Sequence, residues 1–352
     1  MSADQSDGLF QVLDAEGIEV GPIPKALSDD ELVAMLRLCI FGREFDKKAI
    51  ALQRRGKLGT FAPMSGQEAA VVGSVFALDR DHDWVVPQYR EQLAMLHWGL
   101  PLSTYFLQRQ GHPRGSDLPE HGRLFPQQVA LAAHLPHAVG VAWAMKHKGE
   151  PSVAACYFGD GASSEGDFHE SCNLAGIIKA PVLFICQNNQ WAISTPVSKQ
   201  TAGTIADRAA GYGIASARVD GNDPLAMYQV TADARARAAA GDGPTLIEAI
   251  TYRLGAHTTA DDPTRYVDPA EEERWKARDP LIRFRAWMRA TGRWDDDAED
   301  AAASWCTDEI DRAVAEVAAI GPADPALLFD NVWAEDPPGL VAQRAELHEG
   351  RG

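Results

Sequence analysis

No stretch of this chain approaches the 18 or so consecutive apolar residues that a bilayer span requires, and its first residues, MSADQSDGLF, hold no basic cluster followed by an apolar run. The expectation is a soluble, unexported, cytoplasmic protein with no membrane association. Cysteine is sparse: Cys39, Cys156, Cys172, Cys186 and Cys306 are odd in number, widely spaced and form no C-x-x-C pair. That pattern excludes a disulfide framework and a cysteine-based zinc site, so the thiols read as reduced, mostly buried packing residues. Positive charge is in deficit, with 33 Lys and Arg against 50 Asp and Glu and a formal net charge of −17, which argues against a nucleic-acid partner. Internal repeats and low-complexity tracts are missing too, and the Ala-rich acidic stretch 297–303 reads as solvated surface.

What is present supports a sizeable core, since 45% of the 352 residues are hydrophobic. Ser28-Asp29-Asp30-Glu31 has the form of a capping box, and Leu32, Met35, Leu36, Cys39 and Ile40 follow at helical spacing, which predicts a helix from about residue 29. From about 65 to 255, apolar runs such as VAACYF and PVLFICQ alternate with longer amphipathic stretches. This is the rhythm of β-α-β units in a parallel sheet with helices on both faces, an α/β fold. Residues 256–269, polar and proline-bearing, read as a surface loop; helical segments follow, one with Ile310, Val314 and Val317 on a face, before a proline-containing tail near Pro337-Pro338. The predicted organisation is an N-terminal extension and helix (1–60), an α/β domain (61–270) and a C-terminal helical extension (271–352).

Gly159-Asp160-Gly161 directly follows the strand-like run Val153 to Phe158, and Asn188-Asn189 follows the run Val182 to Gln187 after 26 intervening residues. Ligands bind at the carboxyl ends of strands in open α/β sheets, and a right-handed crossover can bring two such ends together. A carboxylate (Asp160) and a carboxamide (Asn189) are hard ligands suited to Mg²⁺, which completes its shell with phosphate oxygens and water. Gly159 and Gly161 would let the backbone approach the phosphates, aided by the N-terminus of a helix starting near Ser163. A lone Gly-Asp-Gly is usually a plain turn, but the joint spacing and strand context favour a diphosphate site. A nicotinamide-binding fingerprint is disfavoured, because its third glycine would fall on Ser164.

The spacing GDG-x26-NN resembles the thiamine-diphosphate motif. The segments GDGASSEGDFHESCNLAG, QNNQWAISTPVSKQTA, VDGNDPLAMY, GPTLIEAITYRLGAHT and DDPTRY resemble alpha subunits of branched-chain 2-oxo acid and pyruvate dehydrogenases, over about residues 10–345. The resemblance implies the thiamine-diphosphate-binding fold, with Mg²⁺ held by Asp160, Asn189 and the main-chain carbonyl of Trp191. It implies diphosphate contacts from Tyr89 and Arg90 of the Gln88-Tyr89-Arg90 segment, and cofactor-lining positions at Gly161, Ala162, Glu165 and Ile193. Leu131 would touch the aminopyrimidine through its backbone. Gln187 stands where some branched-chain members place a phosphate-binding arginine. Val129 at a serine position, and Ala133 and His134 in place of a Thr-Gln pair, depart from members that build a potassium site. His257 matches the histidine that reaches the cofactor and assists acyl transfer, and Thr258 falls where animal relatives carry a regulated phosphoserine. Phe61 and Gly66-Gln67-Glu68 match a segment near the substrate entrance, although Gln67-Glu68 also reads as a helix-opening acidic pair.

The implied activity is oxidative decarboxylation of a 2-oxo acid, with the cofactor as electron sink and the acyl group passing to the lipoyl domain of an acyltransferase component. The implied partner is a beta subunit, in an alpha-two-beta-two assembly, that supplies the glutamate facing the aminopyrimidine. Gly161 to Asp167, GASSEGD, resembles branched-chain members, while Leu58 to Pro63 resembles some bacterial pyruvate enzymes. The reading favours a branched-chain substrate of the 3-methyl-2-oxobutanoate type, with pyruvate as the alternative and a non-catalytic scaffold subunit as a remote one.

Overall fold

A computed structural model describes residues 8–120, 122–330 and 332–349. Its centre is a five-stranded sheet of β1 (Trp84–Val86), β2 (Ala154–Gly159), β3 (Val182–Asn188), β6 (Ala215–Asp220) and β7 (Thr245–Ile250), in the order β1-β2-β3-β7-β6 with every pair parallel. A small antiparallel hairpin, β4 (Trp191–Ala192) with β5 (Thr195–Pro196), stands beside it. All seven residues of β3 and all six of β7 are buried, as expected for strands covered on both faces.

Side-chain alternation along the strands divides the core. Ala154, Cys156 and Phe158 point to one face with Val182, Phe184 and Cys186, where helices Leu135–Lys148 and Gly166–Ile178 cover them. Ala155, Tyr157, Leu183, Ile185 and Ile247 point to the other, against helices Asp29–Arg54, Glu68–Phe76, Pro224–Ala239, Pro280–Ala290 and Asp296–Ile320. The first of these opens with the predicted capping box and buries Leu32, Met35, Leu36, Cys39 and Ile40. All five cysteines are free and buried, and burial raises their thiol pKa values.

The N-terminal lead is tied to the sheet. Phe10 bridges Val219 on β6, and the Asp223 carboxylate accepts the Val12 and Leu13 N–H groups at 2.7 and 2.6 Å while also capping helix Pro224–Ala239. Nearby, Asp220 accepts from Arg283 at 2.8 Å and from Gln11 at 2.7 Å, and Arg283 is 0% exposed.

Two local expectations are corrected. The α-helix after Gly-Asp-Gly begins at Gly166, capped by Glu165, rather than near Ser163; Asp160–Ser164 is wound into a tighter 3-10 turn in which Ser163 Oγ donates to the Asp160 carbonyl at 2.7 Å. The proline-containing tail holds a helix, Pro338–Glu349, opened by Pro338 at a position where a missing N–H costs nothing. The loop after β7 runs as expected, broken by one 3-10 turn, Pro263–Arg265, until helix Pro269–Lys276. No helix among the described residues is long and apolar enough to cross a membrane.

Replacing Asp220 with Ala strands the buried Arg283 guanidinium, and should cost about 3–5 kcal/mol in urea unfolding. A loss below about 1 kcal/mol would show that the pair is not needed to hold the N-terminal lead and helix Pro280–Ala290 to the sheet.

Candidate active site

The register of β2 against β3 sets Gly159 opposite Gln187, so the chain leaves both strands at the same carboxyl end of the sheet, with Asp160 on one exit and Asn189 on the other. Both line a cavity of about 550 Å³, together with Tyr89, Arg90, Leu131, Gly159, Gly161, Ala162, Gln187, Trp191, Ile193 and His257. Of the residues predicted for the site, Glu165 alone does not line it: as the cap of helix Gly166–Ile178 it is exposed. A Cβ on Gly159 would meet only the Gln187 carbonyl, at 4.0 Å, which leaves this backbone open; one on Gly161 would press on Ala192 Cβ at 2.9 Å.

Asp160 is 1% exposed and makes no salt bridge among the described residues, although the charge of Arg253 acts on it from beyond contact. Its Oδ2 accepts from Gln200 Nε2 at 2.8 Å, and burial pushes its carboxyl up to about 6 against the lowering effect of that bond and of the Asn189 N–H. Asn189 Nδ2 donates to Gln67 Oε1 at 3.0 Å and its Oδ1 accepts from Trp191 N at 3.2 Å. A buried carboxylate with no cation in contact, beside a carboxamide oxygen, suits a hard divalent ion. No group of three or more His, Cys, Asp or Glu among the described residues could hold a metal alone, so an ion here would draw further ligands from phosphate and water. Gln88 Nε2, Gln67 Nε2 and Gln187 Oε1 line the same cavity, buried and unpartnered, and so suit a polar ligand. These features fit thiamine diphosphate with Mg²⁺.

Arg90 and His257 line the same cavity. The Arg90 guanidinium donates to the Pro63 carbonyl, and to His257 Nδ1 and the His257 carbonyl, both at 2.9 Å. Its donors are therefore largely committed within the chain, in place of the free fork predicted for phosphate. Burial first, then Arg90 and Arg253, lowers His257 to about 4. The imidazole is thus neutral near pH 7, and because Nδ1 accepts from Arg90, its proton lies on Nε2. Tyr89 packs edge-on against the His257 ring, with centroids 6.4 Å apart.

Sequence reasoning missed the residues that set this geometry. Asp261 accepts the His257 N–H at 2.7 Å and the Tyr266 hydroxyl, while Arg253 donates to that hydroxyl at 2.7 Å and to the Ile193 carbonyl at 2.9 Å. Gln200, Glu91 and Arg109 were also unmarked. Glu91 accepts from Gln187 Nε2 and from the Gln88 N–H at 2.8 Å, and its burial raises it to about 7. Gln187 thus serves a buried acid. Glu68 pairs with Arg43 at 2.7 Å away from the cavity, and Phe61 is buried outside its walls, whereas Gln67 and Thr258 line it. At the Ala133-His134 departure, His134 Nε2 sits 2.7 Å from the Tyr157 carbonyl, and burial lowers it to about 4.

Residues 36–326 match the family described as Dehydrogenase E1 component. The chain belongs to this family, on the alpha-type side of the 2-oxo acid dehydrogenases. It is 41% identical over 338 residues to the pyruvate dehydrogenase E1 component subunit alpha of Staphylococcus epidermidis, covering 95% of this chain and 91% of that protein. It is 42% identical over 350 residues to the subunit of that name from Staphylococcus aureus (strain Mu50), covering 97% and 92%. The family assignment agrees with the resemblance read from the sequence, and both relatives carry the pyruvate name rather than the branched-chain one favoured there.

With its pKa lowered from 6.5 to about 4, His257 contributes stability that is complete above about pH 6.5 and is lost as pH falls towards about 4. Imidazole resonances of the ¹³C-labelled chain should show His257 neutral from about pH 5.5 upward, and Arg90→Met should raise its midpoint. A midpoint at or above the ordinary value in the unaltered chain would contradict the Arg90 contact.

Proposed function

We propose that this chain is the alpha subunit of a thiamine-diphosphate-dependent pyruvate dehydrogenase, decarboxylating pyruvate and passing the acetyl group to the lipoyl domain of an acyltransferase component. The observation that carries the reading is the convergence of Asp160, Asn189, Arg90 and His257 on one cavity at the strand ends. The relatives' names favour pyruvate over 3-methyl-2-oxobutanoate. Magnesium would be held by Asp160, Asn189 and the Trp191 carbonyl, and the diphosphate would lie against the open backbone at Gly159, near Tyr89 and Arg90.

When bound, the cofactor supplies an electron sink for loss of carbon dioxide. This chain positions and desolvates. Ala162 and Ile193 wall the cavity and limit its water, while Gln88 and Gln187 offer polar atoms. His257, neutral and held by Arg90 and the Asp261 contact, presents Nε2–H as a donor to the oxygen of the transferring acyl group. The low basicity of this ring suits donation of a hydrogen bond rather than storage of a proton. Val129, Leu131 and Ile193 at the cavity lip are 64%, 38% and 56% exposed, an apolar rim that suits closure by a beta subunit in an alpha-two-beta-two assembly. A cytoplasmic setting agrees with the reduced thiols.

Calorimetry on the alpha–beta complex should show thiamine diphosphate binding that requires Mg²⁺. Asp160→Ala should weaken it by at least the ~10–100-fold that loss of an outer-shell partner costs. Metal-independent binding unaffected by that change would point to a scaffold subunit. The complex should also turn over pyruvate faster than 3-methyl-2-oxobutanoate; the reverse order would return the branched-chain assignment, and full activity of the alpha chain alone would remove the beta subunit from the proposal.

A further inference from the structure

We infer that Arg109 binds the carboxylate of the 2-oxo acid substrate; the inference rests on the proposed function and adds the residue that recognises the substrate's charge. Two arginines line the cavity, Arg90 and Arg109. Arg90 is committed to Pro63 and His257. Arg253, behind the wall, donates to the Gly255 and Ile193 carbonyls and to the Tyr266 hydroxyl. Arg109 differs. Its one side-chain acceptor of defined geometry is the neutral Gln127 Oε1, its Nε is buried without a partner, and no carboxylate pairs with it among the described residues.

A half-buried guanidinium that lacks an anion is stabilised by an incoming carboxylate. The side chain is held ready for one. Its guanidinium lies 5.1 Å from the Tyr105 ring centroid, and the Tyr105 hydroxyl accepts from Gln92, whose amide also reaches the Ala62 and Tyr89 carbonyls. The Arg109 carbonyl accepts the Gly59 N–H at 2.9 Å, which fixes the end of helix Leu102–Arg109 against the segment leading to Thr60 and Ala62 in the cavity wall. Arg109 also lines a second cavity of about 520 Å³, walled by Leu52, Phe106 and Val317, so open space reaches it from two sides. Arg109 stands on the end of helix Leu102–Arg109 and not on the strand exits that carry Asp160 and Asn189, which assigns it to the substrate rather than to the diphosphate.

The substrate carboxylate departs as carbon dioxide, so an ion pair to it stabilises the bound ground state and not the decarboxylating transition state. Arg109 therefore serves capture. In the alpha–beta holoenzyme assayed with ferricyanide, Arg109→Met should raise KM for pyruvate ~10- to 100-fold with kcat unchanged or increased. KM for acetaldehyde, which has the carbonyl but no carboxylate, and the affinity for thiamine diphosphate with Mg²⁺ should not move; Arg109→Lys should recover part of the loss. Arg109→Gln, which keeps most of the stem over Tyr105, serves if the methionine variant fails to assemble. Unchanged pyruvate KM, an equal rise for acetaldehyde, or lost cofactor affinity would each overturn the inference while leaving the proposed function standing. A wild-type holoenzyme inert towards pyruvate would overturn the proposed function and this inference with it.

Discussion

The parallel pairing of β2 with β3 is the constraint on which the site depends. Gly159 opposite Gln187 brings two chain exits to the carboxyl end of the sheet, and the contacts of Asp160 and Asn189 are built outward from those exits. Because strand side chains alternate, a slip of one residue would send Ala154, Cys156 and Phe158 to the wrong face as well as parting Asp160 from Asn189. The packing of the two core clusters and the placement of the Asp160 and Asn189 oxygens are thus secured by the same register.

Burial then sets the electrostatics. It raises Asp160 and Glu91 to about 6 and about 7, and lowers His257 to about 4, so these three groups are pushed towards their neutral forms in the free chain. Under the proposed function, a divalent cation would reverse this at Asp160 by favouring the carboxylate, so that metal binding would add stability as well as chemistry. Backbone strain sits at the same lip: Ile193 adopts φ 55°, a left-handed conformation that a β-branched residue disfavours, on the turn between β4 and β5.

Much of this was legible in the sequence where the signal is local. The capping box at Ser28, the unbroken apolar runs of β2 and β3, and the paired exits at Asp160 and Asn189 are all short-range patterns, and the structure carries them. What was not legible joins distant positions. Gln200 reaches Asp160 across 40 residues, Arg90 reaches His257 across 167, and no periodicity announces either. The turn after Asp160 tightened because Ser163 bonds back to the main chain, a competition that helix propensity does not reveal. The lean towards branched-chain substrates rested on GASSEGD, of which only Gly161 and Ala162 face the cavity. The remaining five residues, in the 3-10 turn and the helix start, do not line it.

The buried cysteines have a consequence for the partner's chemistry. The proposed acyl acceptor is a strained cyclic disulfide, and any accessible thiolate nearby could attack it to form a mixed disulfide that traps the carrier arm. Cys156 and Cys186 lie in the very strands that end at the cavity, yet both face the sheet's interior packing and are held as protonated thiols. Under the proposed function, the chain thus keeps the sulfur of these two strands from acting as a nucleophile, and the incoming cyclic disulfide would meet no thiolate from either of them.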